Sequence, residues 1–209
     1  MRAREAGLQL IASFIRLVCG VRPLTGNSLP PGPKVFYANH TSHLDFTLIW
    51  AVLPQAERLI TRPVAGKDYW IRNKVTRFVG CDIFNALLIE RKHITRANNP
   101  IEQMHRVLES GLSLIVFPEG TRGTEPVPAA FRSGLYHLSM ACPDIPMIPV
   151  YLENLNRMLP KGTILPIPLI SRITVGSPLP FKADHGQRDE FLTEARQALI
   201  DLPELESHE

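Results

Sequence analysis

Apolar positions along this chain alternate between short continuous runs and longer stretches with helical spacing. The runs predict strands; they are KVFYA (34–38), RLITRPVAG (58–66), IFNALLI (83–89), LSLIVF (112–117), MIPVYL (147–152) and SRITVG (171–176). The stretches predict helices over 3–19, 42–53, 68–79, 97–110 and 187–201. Strands that alternate with helices predict an α/β fold with a mixed, largely parallel central sheet and helices on its faces.

The first helix is strongly sided. Gln9, Ser13 and Arg16 lie on one narrow face at spacings of four and three residues, and apolar residues fill the rest of the circumference. An apolar arc this wide packs on the core or lies in a membrane interface, and the pattern leaves both possibilities open. Flanking arginines favour the interface. The segment is too short and too charged to span a membrane, and no cleavage site follows it, so we expect no signal peptide.

The composition is that of one globular domain. The chain has 209 residues, 44% of them hydrophobic and 21% charged, which is enough for a single sizeable core. Its three cysteines are scattered without paired spacing. This excludes a disulfide framework and a structural zinc site of the usual spacing, and it indicates reduced thiols in an intracellular compartment.

The net charge of +3 hides an uneven distribution. Residues 57–106 carry ten basic groups against five acidic ones, whereas residues 184–209 carry eight acidic groups against two basic ones. The basic N-terminal stretch (1–34) and the basic middle of the chain favour an anionic partner. A membrane surface, a phosphorylated substrate and a nucleic acid are examples. Aromatic residues make up only 7% and do not interleave the basic groups, so we expect no nucleic-acid binding.

A first polar cluster, NHTSHLD (39–45), follows the first predicted strand. Across a strand-to-helix junction, the Asp45 carboxylate can accept a hydrogen bond from one imidazole nitrogen of His40 and leave the other free to take a proton. Three other interpretations stay open. Thr41 or Ser42 caps a helix in an otherwise incidental polar turn, or His40, His43 and Asp45 bind a metal ion. A serine hydrolase is a weaker alternative, because the chain has no G-x-S-x-G motif.

A second polar cluster, FPEGTRG (117–123), follows the strand LSLIV. Its arginine, Arg122, offers a fork of donors to a phosphate or carboxylate, and Gly120 permits an unusual backbone dihedral angle. It lacks the glycine spacing and the lysine of a P-loop, and an exposed turn with an ion pair is the simplest alternative. Because open α/β sheets bind ligands beyond the carboxyl ends of their strands, the two clusters can share one crevice.

Together, the clusters resemble the motifs of the glycerolipid acyltransferases, the family of 1-acylglycerol-3-phosphate acyltransferase. The family's histidine, four residues and aspartate correspond to His40 and Asp45, and its PEGTR block corresponds to residues 118–122. AGKDYW is similar to its lysine block, IFNALLIERK to its second block and IPMIPVYLEN to its fourth. The likeness extends over residues 34–180, which suggests an N-terminal amphipathic or membrane-interface helix (1–24) and an acyltransferase domain (25–209).

The resemblance implies transfer of an acyl group from acyl-CoA or acyl-carrier protein to the hydroxyl of a lysophospholipid, most simply 1-acylglycerol-3-phosphate. It implies that His40 is the general base and Asp45 its orienting carboxylate, and that the acceptor's phosphate binds three cations, Lys67, Arg91 and Arg122. Glu119 would orient Arg122 or contact the glycerol, and backbone amides near Gly120 would hold the developing oxyanion. No metal ion and no cofactor beyond the acyl donor is expected.

The resemblance leaves the acceptor open within the family, since another lysolipid or an amine- or sugar-bearing lipid would use the same chemistry. The partners expected are therefore a lysophospholipid, an acyl donor and a membrane surface, with the protein at the cytoplasmic face of the inner membrane. A non-enzymatic module that binds anionic membranes is the alternative of a different class. Loss of activity in a His40→Ala variant that still binds membranes would separate the two.

Overall fold

A computed structural model describes residues 2–24, 29–42, 45–123, 125, 127–153, 172–179 and 188–203. The helices in these ranges are α1 (Arg2–Cys19), α2 (Asp45–Val52), α3 (Gln55–Ile60), α4 (Lys67–Trp70), α5 (Lys74–Arg77), α6 (Pro100–Glu109), α7 (Gly134–Ala141) and α8 (Arg188–Ile200). The strands are β1 (Val35–Ala38), β2 (Thr61–Gly66), β3 (Leu87–Ile89), β4 (Ser113–Val116), β5 (Met147–Leu152) and β6 (Ile173–Val175). A π-helical turn spans Phe78–Ile83, and a 3₁₀ turn spans Arg96–Asn98.

The six strands form one sheet in the order β3-β2-β4-β1-β5-β6. All neighbouring strands are parallel except β5 and β6, which are antiparallel. The prediction of a mixed, largely parallel sheet with flanking helices is therefore confirmed. The central strand β1 is buried along its whole length, as a strand covered on both faces must be.

Two apolar layers cover the two faces of the sheet. One layer joins α1, α2 and the π-helical turn to the side chains of Phe36, Ile115 and Ile148. The other joins α6, α7 and α8 to the side chains of Tyr37 and Leu114. Because side chains alternate along a strand, neighbours in β1 serve opposite layers, and the sheet holds both layers in one domain.

Helix α1 packs on the core and also keeps an apolar stripe in solvent. Leu8, Ile11, Ala12, Ile15 and Val18 pack into the first layer, mainly beside α2. Three large side chains one turn apart remain exposed; they are Leu10, Phe14 and Leu17, at 71%, 67% and 82% exposure. Within the described residues, no helix is long and apolar enough to cross a membrane.

The predicted continuous basic helix over 68–79 is wrong. The segment forms α4, a break, and α5, and it runs on into the π-helical turn. Asn73 adopts an extended conformation at the break, and its side chain accepts a hydrogen bond from the Thr76 amide at 2.8 Å, so it begins a new helix. Asparagine favours this capping geometry over a helix interior.

Three other predicted boundaries also change. Helix α2 begins at Asp45 rather than near Ser42, and α3 replaces the first residues of the predicted strand 58–66. Strand β2 pairs with β4 through Thr61–Pro63 and with β3 through Val64–Gly66. The proline, which has no N–H to donate, lies where the strand changes partner, so an interior strand accommodates it. Strand β3 is shortened to Leu87–Ile89 because the turn that precedes it is π-helical.

Candidate active site

The candidate site residues lie at one edge of the sheet, beyond the carboxyl ends of the parallel strands. His40 follows β1, and the block 117–122 follows the neighbouring strand β4. Lys67 follows β2 and Arg91 follows β3, on the far side of β4. With neighbouring strands about 4.8 Å apart, the fold brings both polar clusters and the basic residues to the mouth of one crevice.

His40 and Asp45 are in direct contact. The Nδ1 atom of His40 lies 2.7 Å from Oδ2 of Asp45, across the junction between β1 and α2. The Asp45 carboxylate is fully buried and also accepts the Thr41 amide at 2.6 Å and the Ser42 amide at 2.9 Å. An ionised carboxylate only accepts, so His40 Nδ1 carries the proton and Nε2 keeps its lone pair.

The imidazole of His40 is held from a second side by Phe117. The two rings are stacked, with centroids 4.2 Å apart and planes 20° apart. The His40 side chain is 19% exposed, and no described residue hydrogen-bonds to its Nε2. The ring is therefore fixed in orientation while one basic nitrogen faces the crevice, which is the arrangement that a general base requires.

Glu119 links the two polar clusters through the main chain. Its Oε1 accepts the backbone amide of His40 at 2.7 Å, and its Oε2 accepts the amide of Ala129 at 2.9 Å. The residue is only 4% exposed. The expectation that Glu119 orients Arg122 or contacts the glycerol stays a prediction. The structure adds a positioning role, because each carboxylate oxygen accepts a main-chain amide in a buried setting.

Gly120 closes the turn after β4 and does not offer its amide to the crevice. Its N–H donates to the carbonyl of Phe117 at 3.0 Å, so the expected oxyanion donor is already engaged. The residue is needed for another reason. Its φ is +72°, a conformation that favours glycine. A Cβ at this position would also come within 2.6 Å of Arg132 Nε. That Nε donates to the Glu119 carbonyl at 3.1 Å, so a side chain at position 120 would disturb this contact.

Lys67, Arg91 and Arg122 are exposed and follow three adjacent strands. The guanidinium of Arg91 lies over Gly66, the residue before Lys67, because a Cβ on that glycine would come within 2.5 Å of Arg91 Nε. Arg91 and Lys67 therefore form one basic edge of the crevice. Arg122 belongs to the loop that follows β4, the strand between β2 and β1.

Asn39 positions the site, a role that the sequence interpretation missed. Its side-chain amide donates to the Leu152 carbonyl at 2.9 Å, and its side-chain oxygen accepts the Leu152 amide at 2.8 Å. The Asn39 side chain thus takes the place of one pair of backbone hydrogen bonds between β1 and β5, just before His40. An asparagine directly after a buried strand was the available signal, but its partner lies 113 residues away.

The metal interpretation gains no support from the described residues. Among them, His, Cys, Asp and Glu side chains form no group of three that could hold a metal ion. His43, the third candidate ligand, lies outside the described residues. The helix-capping interpretation is also incomplete, because the capping carboxylate of Asp45 bonds the imidazole as well as the two amides.

Comparison with known proteins gives a consistent result. The family model described as Acyltransferase matches residues 24–153, more than half of the chain. The 1-acyl-sn-glycerol-3-phosphate acyltransferase of Haemophilus influenzae is 28% identical over 136 residues, which are 59% of this chain and 51% of that protein. The protein of the same name from Limnanthes douglasii is 27% identical over 181 residues, 81% of this chain and 60% of that protein.

The Escherichia coli protein of that name is 29% identical over 140 residues, 61% of this chain and 52% of that protein. The chain thus spans about half to three fifths of the length of these relatives. Its fold is similar to the crystal structure of the 1-acyl-sn-glycerophosphate acyltransferase from Thermotoga maritima. The TM-score is 0.70 at 20% identity, and the match covers 98% of this chain and 82% of that one.

Proposed function

This chain belongs to the acyltransferase family, and we propose that it transfers an acyl group from a thioester to the free hydroxyl of 1-acylglycerol-3-phosphate, giving phosphatidic acid. The donor in this proposal is acyl-CoA or acyl-carrier protein. One observation carries the proposal. Asp45 and Phe117 fix the His40 imidazole, and no described residue hydrogen-bonds to its Nε2. Three basic residues follow strands at the same edge of the sheet. The relatives described above are named for this reaction.

In the proposed reaction, Nε2 of His40 takes the proton of the acceptor hydroxyl as its oxygen attacks the thioester carbonyl. The C–O bond forms, and the tetrahedral intermediate then breaks its C–S bond. The leaving thiolate takes the proton from the imidazolium, so His40 ends as it began. Asp45 stabilises the imidazolium and holds its tautomer, since the carboxylate is ionised, buried and fixed by two amides. A base so placed contributes about 10²- to 10⁴-fold.

The basic edge supports a phosphate-bearing acceptor. Lys67 and Arg91 lie together, and Arg122 belongs to the loop after β4, the strand between β2 and β1. A guanidinium binds phosphate through paired donors, and an ammonium contributes a compact charge. The acceptor 1-acylglycerol-3-phosphate carries its phosphate and its reacting hydroxyl on neighbouring carbons. The proposal therefore requires at least one of these three cations to reach the phosphate while His40 meets the hydroxyl.

We also propose that the enzyme works at the surface of a membrane, on its cytoplasmic face, since acceptor and product are lipids. The exposed stripe on α1 and the segment after Lys67 support this. Four apolar side chains in that segment are exposed; they are Tyr69, Ile71, Val75 and Phe78. They alternate with Arg72, Lys74 and Arg77, the mixture that anionic interfaces attract.

The test is acyl transfer by purified protein in detergent, with lysophosphatidic acid as acceptor and acyl-CoA or acyl-carrier protein as donor. Wild type should form phosphatidic acid, and His40→Ala should lose the product while keeping its fold and its binding to anionic vesicles. His105→Ala is the matched control, because that histidine lies on α6 and pairs only with exposed Glu109 at 3.5 Å.

Three results would change the proposal. Free CoA released by wild type but not by His40→Ala, with no lipid product, would keep the chemistry and reject the acceptor. Activity that is equal in both proteins would reject His40 as the base. Vesicle binding without any thioester turnover would favour the non-enzymatic membrane module instead.

A further inference from the structure

A cavity separate from the crevice lies at the opposite edge of the sheet, where β2 and β3 begin. Its cavity volume is about 50 Å³, and it opens to solvent. Three arginines from three elements line it, Arg4 of α1, Arg58 of α3 and Arg62 of β2, together with apolar side chains such as Leu8, Trp50 and Phe84. Strand β2 runs between this cavity and Lys67, so His40 lies at the other end of the sheet.

Arg58 is buried without the partners that a buried guanidinium needs. The residue is 4% exposed, and its Nη2 donates only to the Leu53 carbonyl at 3.3 Å. Its Nε and Nη1 are buried with no acceptor, and within the described part of the chain no carboxylate pairs with it. Its guanidinium lies 5.2 Å from the centroid of the Trp50 ring. A cation–π contact offsets only part of the desolvation cost of a charge.

The other two arginines, Arg4 and Arg62, add positive charge to that of Arg58 and supply no negative charge to balance it. Arg62 is held by Asn85, whose side-chain oxygen, when the amide faces that way, accepts from Arg62 Nη2 at 3.1 Å and Nε at 3.2 Å. Asn85 stands at a φ of +52°, which orients the turn before β3 towards the cavity. Burial, and secondarily the charge of Arg16, lower the pKa of Arg58, as expected of a cation beside another cation.

The acidic side chain next to Arg58 in the sequence is already paired with another residue. Glu57, the neighbour of Arg58, pairs with Lys34 at 2.6 Å. Three guanidinium groups thus surround an open volume whose described lining contains no acidic residue. Within the described residues, no carboxylate lines the cavity or pairs with Arg58, and an entering anion would supply the missing counter-charge.

We propose that this cavity, the arginine pocket (Arg4, Arg58 and Arg62), binds a phosphate group. Guanidinium forks match phosphate oxygens in pairs, and the apolar part of the lining suits the organic part of a phosphate ester. Since Arg4 belongs to α1, whose outer stripe is apolar, the phosphate can come from an anionic lipid headgroup. Free phosphate or a soluble phosphate ester would bind through the same contacts. The proposal does not depend on the acyl-transfer reaction.

The test uses the full-length protein and inorganic phosphate as the probe. The chain has two tryptophans, of which Trp50 lines the pocket, so a Trp70→Phe background reports on Trp50 fluorescence. Phosphate should change this fluorescence saturably and raise the melting temperature, compared with chloride at matched ionic strength. Arg58→Met should weaken binding about tenfold or more, the loss expected for a charge-assisted hydrogen bond.

Two further variants keep the test decisive. If Arg58→Met fails to fold, the double variant Arg4→Gln, Arg62→Gln removes two charges from less buried positions and should weaken binding by a similar factor. Arg106→Gln, on α6 and exposed, is the matched control and should bind phosphate as wild type does. No saturable response in wild type, or equal responses in wild type and both pocket variants, would overturn the proposal.

A vesicle arm identifies the source of the phosphate. Vesicles of neutral phosphatidylcholine are compared with vesicles that also contain phosphatidylglycerol. If the anionic vesicles change Trp50 fluorescence in wild type but not in Arg58→Met, and inorganic phosphate competes with them, the pocket takes a lipid headgroup. If phosphate binds and the vesicles leave the Trp50 signal unchanged, it takes a soluble phosphate.

Discussion

The carboxylate of Glu119 holds the backbone amide of His40 at 2.7 Å, although the two residues lie 79 positions apart in the chain. The position of the proposed base thus depends on a buried residue of the other polar cluster. In Glu119→Gln, one of the two bound amides faces an NH₂ group and loses its acceptor. We expect a loss of about 1–3 kcal/mol of unfolding free energy together with reduced acyl transfer.

Urea unfolding and an acyl-transfer assay measure the two effects of Glu119→Gln. Glu109→Gln is the control, because its side chain is 63% exposed and its replacement should change stability by less than about 0.5 kcal/mol. A Glu119→Gln protein with wild-type stability and wild-type activity would contradict the assigned role.

Replacement of Asp45 by Asn tests the tautomer of His40. Asp45 Oδ2 accepts from His40 Nδ1 and from the Thr41 and Ser42 amides, and Oδ1 also accepts from the Ser42 amide. An Asn side chain keeps the size but has one neutral oxygen and one NH₂ group, so it loses one acceptor and stabilises an imidazolium less. We expect kcat to fall by about 10²- to 10⁴-fold with a smaller change in KM. NMR of ¹⁵N-labelled histidine should show the His40 proton on Nδ1 in wild type and a shifted tautomer population in the variant. An unchanged tautomer with normal kcat would refute the orienting role.

Stacking on Phe117 is expected to position the imidazole without taking part in the chemistry. Phe117→Leu removes the ring at 4.2 Å and should lower kcat by about 2- to 10-fold, whereas Phe117→Tyr should keep it. Phe131→Leu is the control, since Phe131 meets Tyr37 edge-on in the core. That variant should lose stability and keep its rate at temperatures where it is folded. Equal rate losses in the two Leu variants would show that the effect is general packing.

The ion pair between Lys34 and Glu57 should matter for stability and not for catalysis. Lys34 is fully buried, and its Nζ lies 2.6 Å from Glu57 Oε2 and 2.7 Å from the Gly32 carbonyl, at the amino end of β1. Glu57→Gln leaves the ammonium buried and should cost about 3 kcal/mol. The double variant Lys34→Met, Glu57→Leu should recover most of this loss in chemical denaturation. A double variant as unstable as the single one would disprove the argument.

Thiol labelling at different pH values should separate the three cysteines. Burial, and secondarily the charge of Glu109, raise the pKa of Cys142 to about 11, and burial also raises the pKa of Cys19. The thiolate is the reactive form, so Cys142 should label slowly until the pH passes through 9 to 11. Cys81, the least buried of the three, should label first.

The raised Cys142 pKa also has a consequence for folding. Its contribution to stability is fully present below the pKa of the unfolded thiol and is lost as the pH rises towards 11. Mass spectrometry of labelled peptides follows each site, with urea-unfolded protein as the control in which all three react alike. Rapid labelling of Cys142 at pH 8 in folded protein would contradict the buried position.

The sequence by itself determined the α/β class, the positions of the strands and the two polar clusters. Alternation of apolar runs with helical spacing reports which faces must be buried, and burial is a local property of a segment. The same pattern did not reveal that the basic segment 68–79 is broken at Asn73, because charge and apolar spacing continue across the break while one side chain caps it.

Only the tertiary structure decided which segments meet. The strand order β2-β4-β1-β5 places Glu119 on the amide of His40 and Asn39 on the backbone of Leu152. It also assembles the arginine pocket from three separate elements. Contacts that join residues 79 and 113 positions apart depend on how the strands are ordered, and hydrophobic periodicity carries no information about that order. The residue types of the site could thus be read from the sequence, whereas the partners that hold them could not.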